Sequence, residues 1–332
     1  MSVRVDESRH RAALAQLDEA EVALRRALAL LARAHPLEPP VPDQDRSGGG
    51  PGGVQRVQRP CDEQIGHRET SGLVSRYMRG MDERHHLDGR LLAALGSRGA
   101  AMFDPYEDDP GNSGLWLLDP RELESRILRV AAAGFQPSVH CIGDRACALV
   151  LEAFTKVPRT LRARAEHLQV LRPRDVPLLK KSGAIASMQP THATSDAAWA
   201  EDRLGHGTER QRGAYAWRQA LDAGAALAFG SDFPVEDIDP RAGLRAAVTR
   251  KPAAEPAWMP EQRLRRDEAL RAFTAGAAWA EFAEGRRGCI REGFDDDLTV
   301  FGRDVMAVHV DELCSVPIAA TVVGGRGVYA GA

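Results

Sequence analysis

No apolar run in the sequence approaches the roughly 18 residues that a membrane-crossing helix needs. The opening residues, Met1 to Glu7, are charged at once, so the apolar centre of a secretory leader is missing. Cations are not in excess. The 44 Lys and Arg stand against 47 Asp and Glu, for a formal net charge of -3, which argues against a polybasic nucleic-acid binder. Five cysteines, Cys61, Cys141, Cys147, Cys289 and Cys314, are odd in number and include no Cys-x-x-Cys pair. A disulfide framework and a cysteine zinc knuckle are therefore both poor readings. No repeat of solenoid length is visible. These absences leave a cytoplasmic chain with neither nucleic acid nor membrane as the expected partner.

What remains is ample for a folded core: 43% of the 332 residues are hydrophobic and 27% charged. That length fits two domains, or one α/β barrel with an appendage. The two ends read differently. Leu14, Leu17, Leu24, Leu28 and Leu31 recur at steps of three, four or seven among good helix formers, predicting a helix within 1–35. Pro36 and Pro39-Pro40-Val41-Pro42 stop it, and the Gly/Pro-rich text that follows predicts an irregular linker over 36–87.

After Asp88 a rhythm sets in. Asp119 is placed to cap a helix over 120–131, and Gly134 precedes a strand over 135–140. Helices over 145–154, 173–181 and 215–223 then alternate with strands over 163–168, 184–189 and 225–230. Helix, glycine, short apolar strand, then polar residues is the signature of parallel βαβ construction. Segments 297–301 and 320–329, turning at Gly324-Gly325, predict a small β appendage.

In parallel barrels chemistry sits where strands end. The four predicted strand ends deliver His140, His167, His192 and Asp232. Taken singly, each histidine reads more readily as a packed or solvated residue. Together, imidazoles and a carboxylate on one face are what a zinc-like ion needs. Asp232 can bind such an ion or take a proton from water; it reads equally as a helix N-cap ahead of Pro234.

These phrases carry a resemblance. Val139-His-Cys-Ile-Gly-Asp-Arg-Ala146, Ala165-Glu-His-Leu-Gln169, Ala186-Ser-Met-Gln-Pro-Thr-His192, Gly213-Ala-Tyr-Ala-Trp-Arg218, Phe229-Gly-Ser-Asp-Phe-Pro-Val235 and Ala320-Thr-Val-Val-Gly-Gly-Arg326 occur in the same order in one family. From Asp88 to Tyr329 the chain resembles the later part of the amidohydrolase superfamily, specifically the amidohydrolase 3 group with the YtcJ-like hydrolases. The resemblance implies an α/β fold: a partial (β/α)8 TIM-type barrel over 88–285 and a small C-terminal β-sandwich remnant over 286–332. It implies a metal-dependent hydrolase acting on non-peptide C–N bonds of a small-molecule amide. It further implies metal ligation by His140, His167 and Asp232, with Asp232 also activating the hydrolytic water. His192 and Arg218 become substrate-orienting candidates, against the plainer readings of a loop histidine and a surface helix arginine.

Departures from the family pattern matter as much. The family's His-x-His pair is absent, Arg84 occupies the spacing of its bridging lysine, and Arg90-Leu-Leu-Ala-Ala94 interrupts the text after Asp88-Gly89. His85-His86 are adjacent and in a strand would face opposite sides. The ligands left imply at most one divalent ion, zinc by type. A half barrel would also leave strand edges open to self-association. The expectation is a hydrolase impaired by a truncated or frame-disrupted N-terminal half; the alternative is an inactive remnant or a protein acting only by association.

Overall fold

Asp119 opens the first helix as its side chain suggests. Its carboxylate accepts from the N–H groups of Arg121 (2.9 Å) and Glu122 (3.4 Å), and Pro120 fills the first helical position of α1, Pro120–Ala132. The computed structural model describes residues 94–252 and 256–331. The predicted helix over 1–35 and linker over 36–87, with Arg84, His85, His86 and Asp88, lie outside those residues.

After α1 the chain alternates as expected: β1 Ser138–Cys141, α2 Asp144–Phe154, β2 Arg164–His167, α3 Val176–Ser182, β3 Ile185–Met188, α4 Pro190–Leu204, α5 Trp217–Asp222 and β4 Leu227–Phe229. Each strand lies within, or at most one residue beyond, its predicted segment. α3 ends at Gly183, which takes the left-handed φ of +66° that a side chain resists. α4 is the element that hydrophobic period alone does not announce; its signal is Pro190 at the first helical position.

The four strands form one parallel sheet in the order β1-β2-β3-β4. Among the described residues the sheet is open, and no closed barrel is seen. Its two faces differ. In one set of rows Val139 pairs with Ala165, Ala165 with Ala186 and Ala186 with Leu227, while Met188 pairs with Phe229. Ala165, Ala186, Met188, Leu227 and Phe229 are all buried, and burying each large apolar side chain stabilises by about 1.5–3 kcal/mol. The opposite face carries Ser138, His140, Arg164, Glu166 and Ser187. Ser138 Oγ donates to Glu166 at 2.6 Å and Arg164 Nε at 2.8 Å. Against the opposing effect of burial, these bonds, with Ser187, hold the Glu166 carboxyl below its usual range. That face is wholly polar at β1 and β2 only: at β3 and β4 it carries Ile185 and Ala228, buried in a small apolar cluster with Ala280.

β4 is fixed by aromatic packing. Phe229 meets Trp217 of α5 and Phe273 edge-on, at centroid distances of 6.1 and 5.4 Å. Phe273 sits in a π-helical turn, Ala272–Gly276, inserted between the helices Arg266–Arg271 and Ala277–Ala280. Gly276 presses this turn onto β4: a Cβ there would lie 2.1 Å from the Leu227 carbonyl oxygen. Arg250, 1% exposed, lies over the rings of Trp217 and Trp258, at 4.4 and 5.1 Å. It donates to the carbonyls of Tyr215 and Trp258, both at 2.9 Å, and so ties the turn before α5 to the core.

The tail forms a separate antiparallel sheet in the order β5-β6-β7, from Leu298–Phe301, Ile318–Val323 and Arg326–Ala330. The last two turn at Gly324-Gly325, as expected. A single sheet is present, so the second layer of a sandwich is not among the described residues.

Gly276→Ala should cost about 1–3 kcal/mol through overpacking against β4. Gly111, whose added Cβ would meet nothing within 4 Å, is the control. Thermal unfolding of both variants checks this: a clear drop in Tm is expected for Gly276→Ala and little change for Gly111→Ala. Equal midpoints would contradict the packing of the π turn on β4.

Candidate metal centre

Three strand ends and one helix start converge. His167 closes β2, Asp232 follows β4, and His192 stands in the first turn of α4 because Pro190 begins that helix directly after β3. Asp232 Oδ2 lies 4.0 Å from both His167 Nδ1 and His192 Nε2. One ligand atom from each of the three residues falls within 4.8 Å of the others. Atoms no further apart than that share a centre within about 2.8 Å of each, about 0.6–0.8 Å beyond zinc bond lengths of about 2.0–2.2 Å, so the three groups would have to close in on an ion.

The surroundings suit a cation. His192 Nε2 is buried and has no hydrogen-bond partner, a condition that costs free energy unless something else accepts its lone pair. Burial pushes both His167 and His192 below the usual imidazole range, against the opposing pull of Asp232 on both and of Glu236 on His192. Neutral imidazole is the form that binds metal. Two nitrogen donors and one carboxylate thus fit a divalent ion.

The backbone is strained where it delivers these groups. His167 has φ +69°, Leu168 +41° and Asp232 +59°. Non-glycine residues in this region cost about 1–3 kcal/mol each and cluster at functional sites. His167 keeps its register with Cys141 at the end of β2, and the simple cap for Asp232 falls away because no helix begins at Pro234.

The expected residues His140, His167, His192 and Asp232 lie around one point. His192, expected to orient substrate, stands among the three donors. His140, expected as a ligand, instead packs its ring edge-on against His167, with centroids 4.5 Å apart. His167 and His192 are stacked at 6.0 Å. Arg218 takes no part: its guanidinium is paired with Glu268 and Asp222 and donates to the Arg263 carbonyl, so the surface-helix reading describes its contacts.

His167 and His192 share a crevice with Gln169, Met188, Gln189 and Tyr215 that is too narrow to admit a water molecule. Gln189 Oε1 is 2.9 Å from His167 Nδ1. Gln169 Nε2 donates to Asp196 Oδ2 at 2.9 Å, and the Tyr215 hydroxyl bonds both Gln169 and Asp196. Burial raises the Asp196 carboxyl to about 6, although both of these hydrogen bonds favour its ionised form. Sequence reading assigned no role to Gln169, Gln189, Asp196 or Tyr215. Three of them sit inside the quoted family phrases, and nothing in their spacing marks them as neighbours.

The comparisons with known proteins show the family. The amidohydrolase family model, of the amidohydrolase 3 group, matches residues 74–329. The chain is 36% identical over 244 residues to "Putative amidohydrolase YtcJ" of Bacillus subtilis (strain 168), covering 71% of this chain and 45% of that protein. It is 26% identical over 208 residues to the N-substituted formamide deformylase of Arthrobacter pascens, covering 61% of this chain and 38% of that one. An uncharacterized metal-dependent hydrolase from Pyrococcus horikoshii OT3 superposes with a TM-score of 0.58 at 29% identity, covering 65% of this chain and 44% of that one. The chain thus spans less than half the length of these relatives. It belongs to the amidohydrolase family, whose members are metal-dependent hydrolases.

Proposed function

We propose that His167, His192 and Asp232 hold one divalent ion, zinc, and that the site hydrolyses C–N bonds other than peptide bonds in small-molecule amides. The observation that carries this reading is the buried, unpartnered His192 Nε2 facing Asp232 Oδ2 at 4.0 Å, with His167 on the same carboxylate. The deformylase relative supports an amide C–N bond as the target. When bound, the ion polarises an amide carbonyl and lowers the pKa of water. The chain's own residues do the rest. The two imidazoles, neutral through burial, present lone pairs without first releasing protons. Asp232, whose side chain is 39% exposed, takes a proton from the attacking water and passes it to the departing nitrogen. The Gln169–Asp196–Tyr215 cluster closes the floor of the crevice and keeps bulk water from below.

The sheet supports a partial barrel, with the site at the carboxyl ends of its strands. Three protein donors hold one ion weakly, and hydrolysis by this chain alone is slow. β1 and β4 each pair on one side only among the described residues, and Phe233, Val235 and Ile238 beside Asp232 are 64%, 69% and 68% exposed. That apolar rim favours a second reading, in which the chain self-associates. Sedimentation velocity over a concentration series should show dimers or larger species; a monomer throughout would remove this reading.

Zinc titration of the purified chain tests the first. One ion per chain is expected. His167→Ala and His192→Ala should each weaken binding by more than the roughly 10–100-fold that supporting residues are worth, and His140→Ala by less. Protons compete with the metal for imidazole. Because both histidines titrate below 6.5, affinity should hold steady as pH falls from 8 towards 6.5 and decline only below it. Equal losses for all three variants, or a decline already near pH 7.5, would contradict the assignment.

A further inference from the structure

We propose that Asp196 is a positioning residue: its carboxylate braces the chain just past His167 to the helix that carries His192, and so sets the spacing of the two imidazoles. The inference rests on the metal reading above and deepens it.

The sheet does not set that spacing. The β2–β3 ladder stops at Glu166 and Ser187, one residue short of His167, whose ladder partner is Cys141 on β1. His167 and Leu168 then take left-handed φ values of +69° and +41°, so strand geometry does not carry on past the donor. One side-chain contact across the gap cannot survive an ion. Gln189 Oε1 lies 2.9 Å from His167 Nδ1, the ring nitrogen that also stands 4.0 Å from Asp232 Oδ2. An ion bound at that nitrogen displaces the proton that Gln189 accepts.

The contact from Asp196 involves no donor atom. Asp196 follows His192 by four residues on α4, on the same helical face. Its Oδ2 accepts from Gln169 Nε2 at 2.9 Å, and Gln169 stands two residues past His167. The Tyr215 hydroxyl donates to the same oxygen and accepts from Gln169. Gln169 is 4% and Tyr215 2% exposed, and the Tyr215 backbone N–H donates to the Gln169 carbonyl at 2.6 Å. Buried polar groups satisfied in this way rigidify what they join. The brace therefore runs from His167 to Gln169, across to Asp196, and back one helical turn to His192, whose ring is stacked on that of His167 at 6.0 Å.

The test uses the full chain and its variants. Asp196→Ala and Gln169→Leu each cut the brace at one end, whereas Asp196→Asn keeps an oxygen that accepts from both Gln169 and Tyr215. Metal-free crystal structures should show the two rings near 6.0 Å apart in the wild type and Asp196→Asn, and further apart in Asp196→Ala and Gln169→Leu. Zinc titrations, run well below every unfolding midpoint, should show binding about 10–100-fold weaker for Asp196→Ala and for Gln169→Leu. The double variant should lose no more than either single one, because both remove the same contact, and Asp196→Asn should bind as the wild type does. A merely structural cluster would lower the midpoints, leave the ring spacing alone and give losses that add. Unchanged spacing in Asp196→Ala, unchanged affinity in a variant whose rings have moved, or additive losses would overturn the proposal; if Asp196→Ala does not fold, Gln169→Leu gives the same readings. A wild-type chain that takes up no zinc, while the rings still part in Asp196→Ala, would overturn the metal centre and leave the brace standing.

Discussion

The site depends on one constraint: four short parallel strands bury one apolar face, while the other is wholly polar only along β1 and β2. Ala165, Ala186, Met188, Leu227 and Phe229 sit under helices, and that burial fixes the register. Once the register is fixed, the carboxyl ends of β2, β3 and β4 lie side by side. His167, Asp232 and the first turn of α4 then have nowhere else to go. The polar rows of Ser138, Arg164 and Glu166 on the opposite face are satisfied by bonds to one another.

Electrostatics follow from the same packing. Burial removes charge from His167 and His192 while Asp232 keeps contact with solvent. A neutral–neutral–anionic trio is a poor ion-pair network and a good cation site. The strain at His167, Leu168 and Asp232 is tolerable because the neighbouring core over-determines it. Arg250 and the Trp217–Phe229–Phe273 stack hold the turn before α5 and strand β4 rigidly enough to keep those φ values in place.

Much of this could be read before any coordinates. Asp119 and Gly183 mark helix ends by mechanisms that act within a few residues, and both behave as local chemistry dictates. The strands were found for the same reason, since apolar runs after glycine have few alternatives. What escaped was the part that depends on three-dimensional turns. A histidine two residues after Gln189-Pro190 looks like a loop residue unless Pro190 is taken as a helix start, and that choice decides whether His192 lies beside Asp232. His140 and His167 look alike in sequence; a left-handed φ at His167, which no periodicity encodes, sends one into the group and leaves the other against its ring. The pairing of Arg218 with Glu268, fifty residues away, is likewise a long-range contact that its neighbours in sequence do not announce.

The most direct test of the metal centre is anomalous diffraction at the zinc edge from crystals of the chain grown with zinc. A single peak per chain within bonding distance of a His167 nitrogen, a His192 nitrogen and Asp232 is the predicted result. A peak bonded to His140 without His192, or no peak at this cluster, would contradict the account.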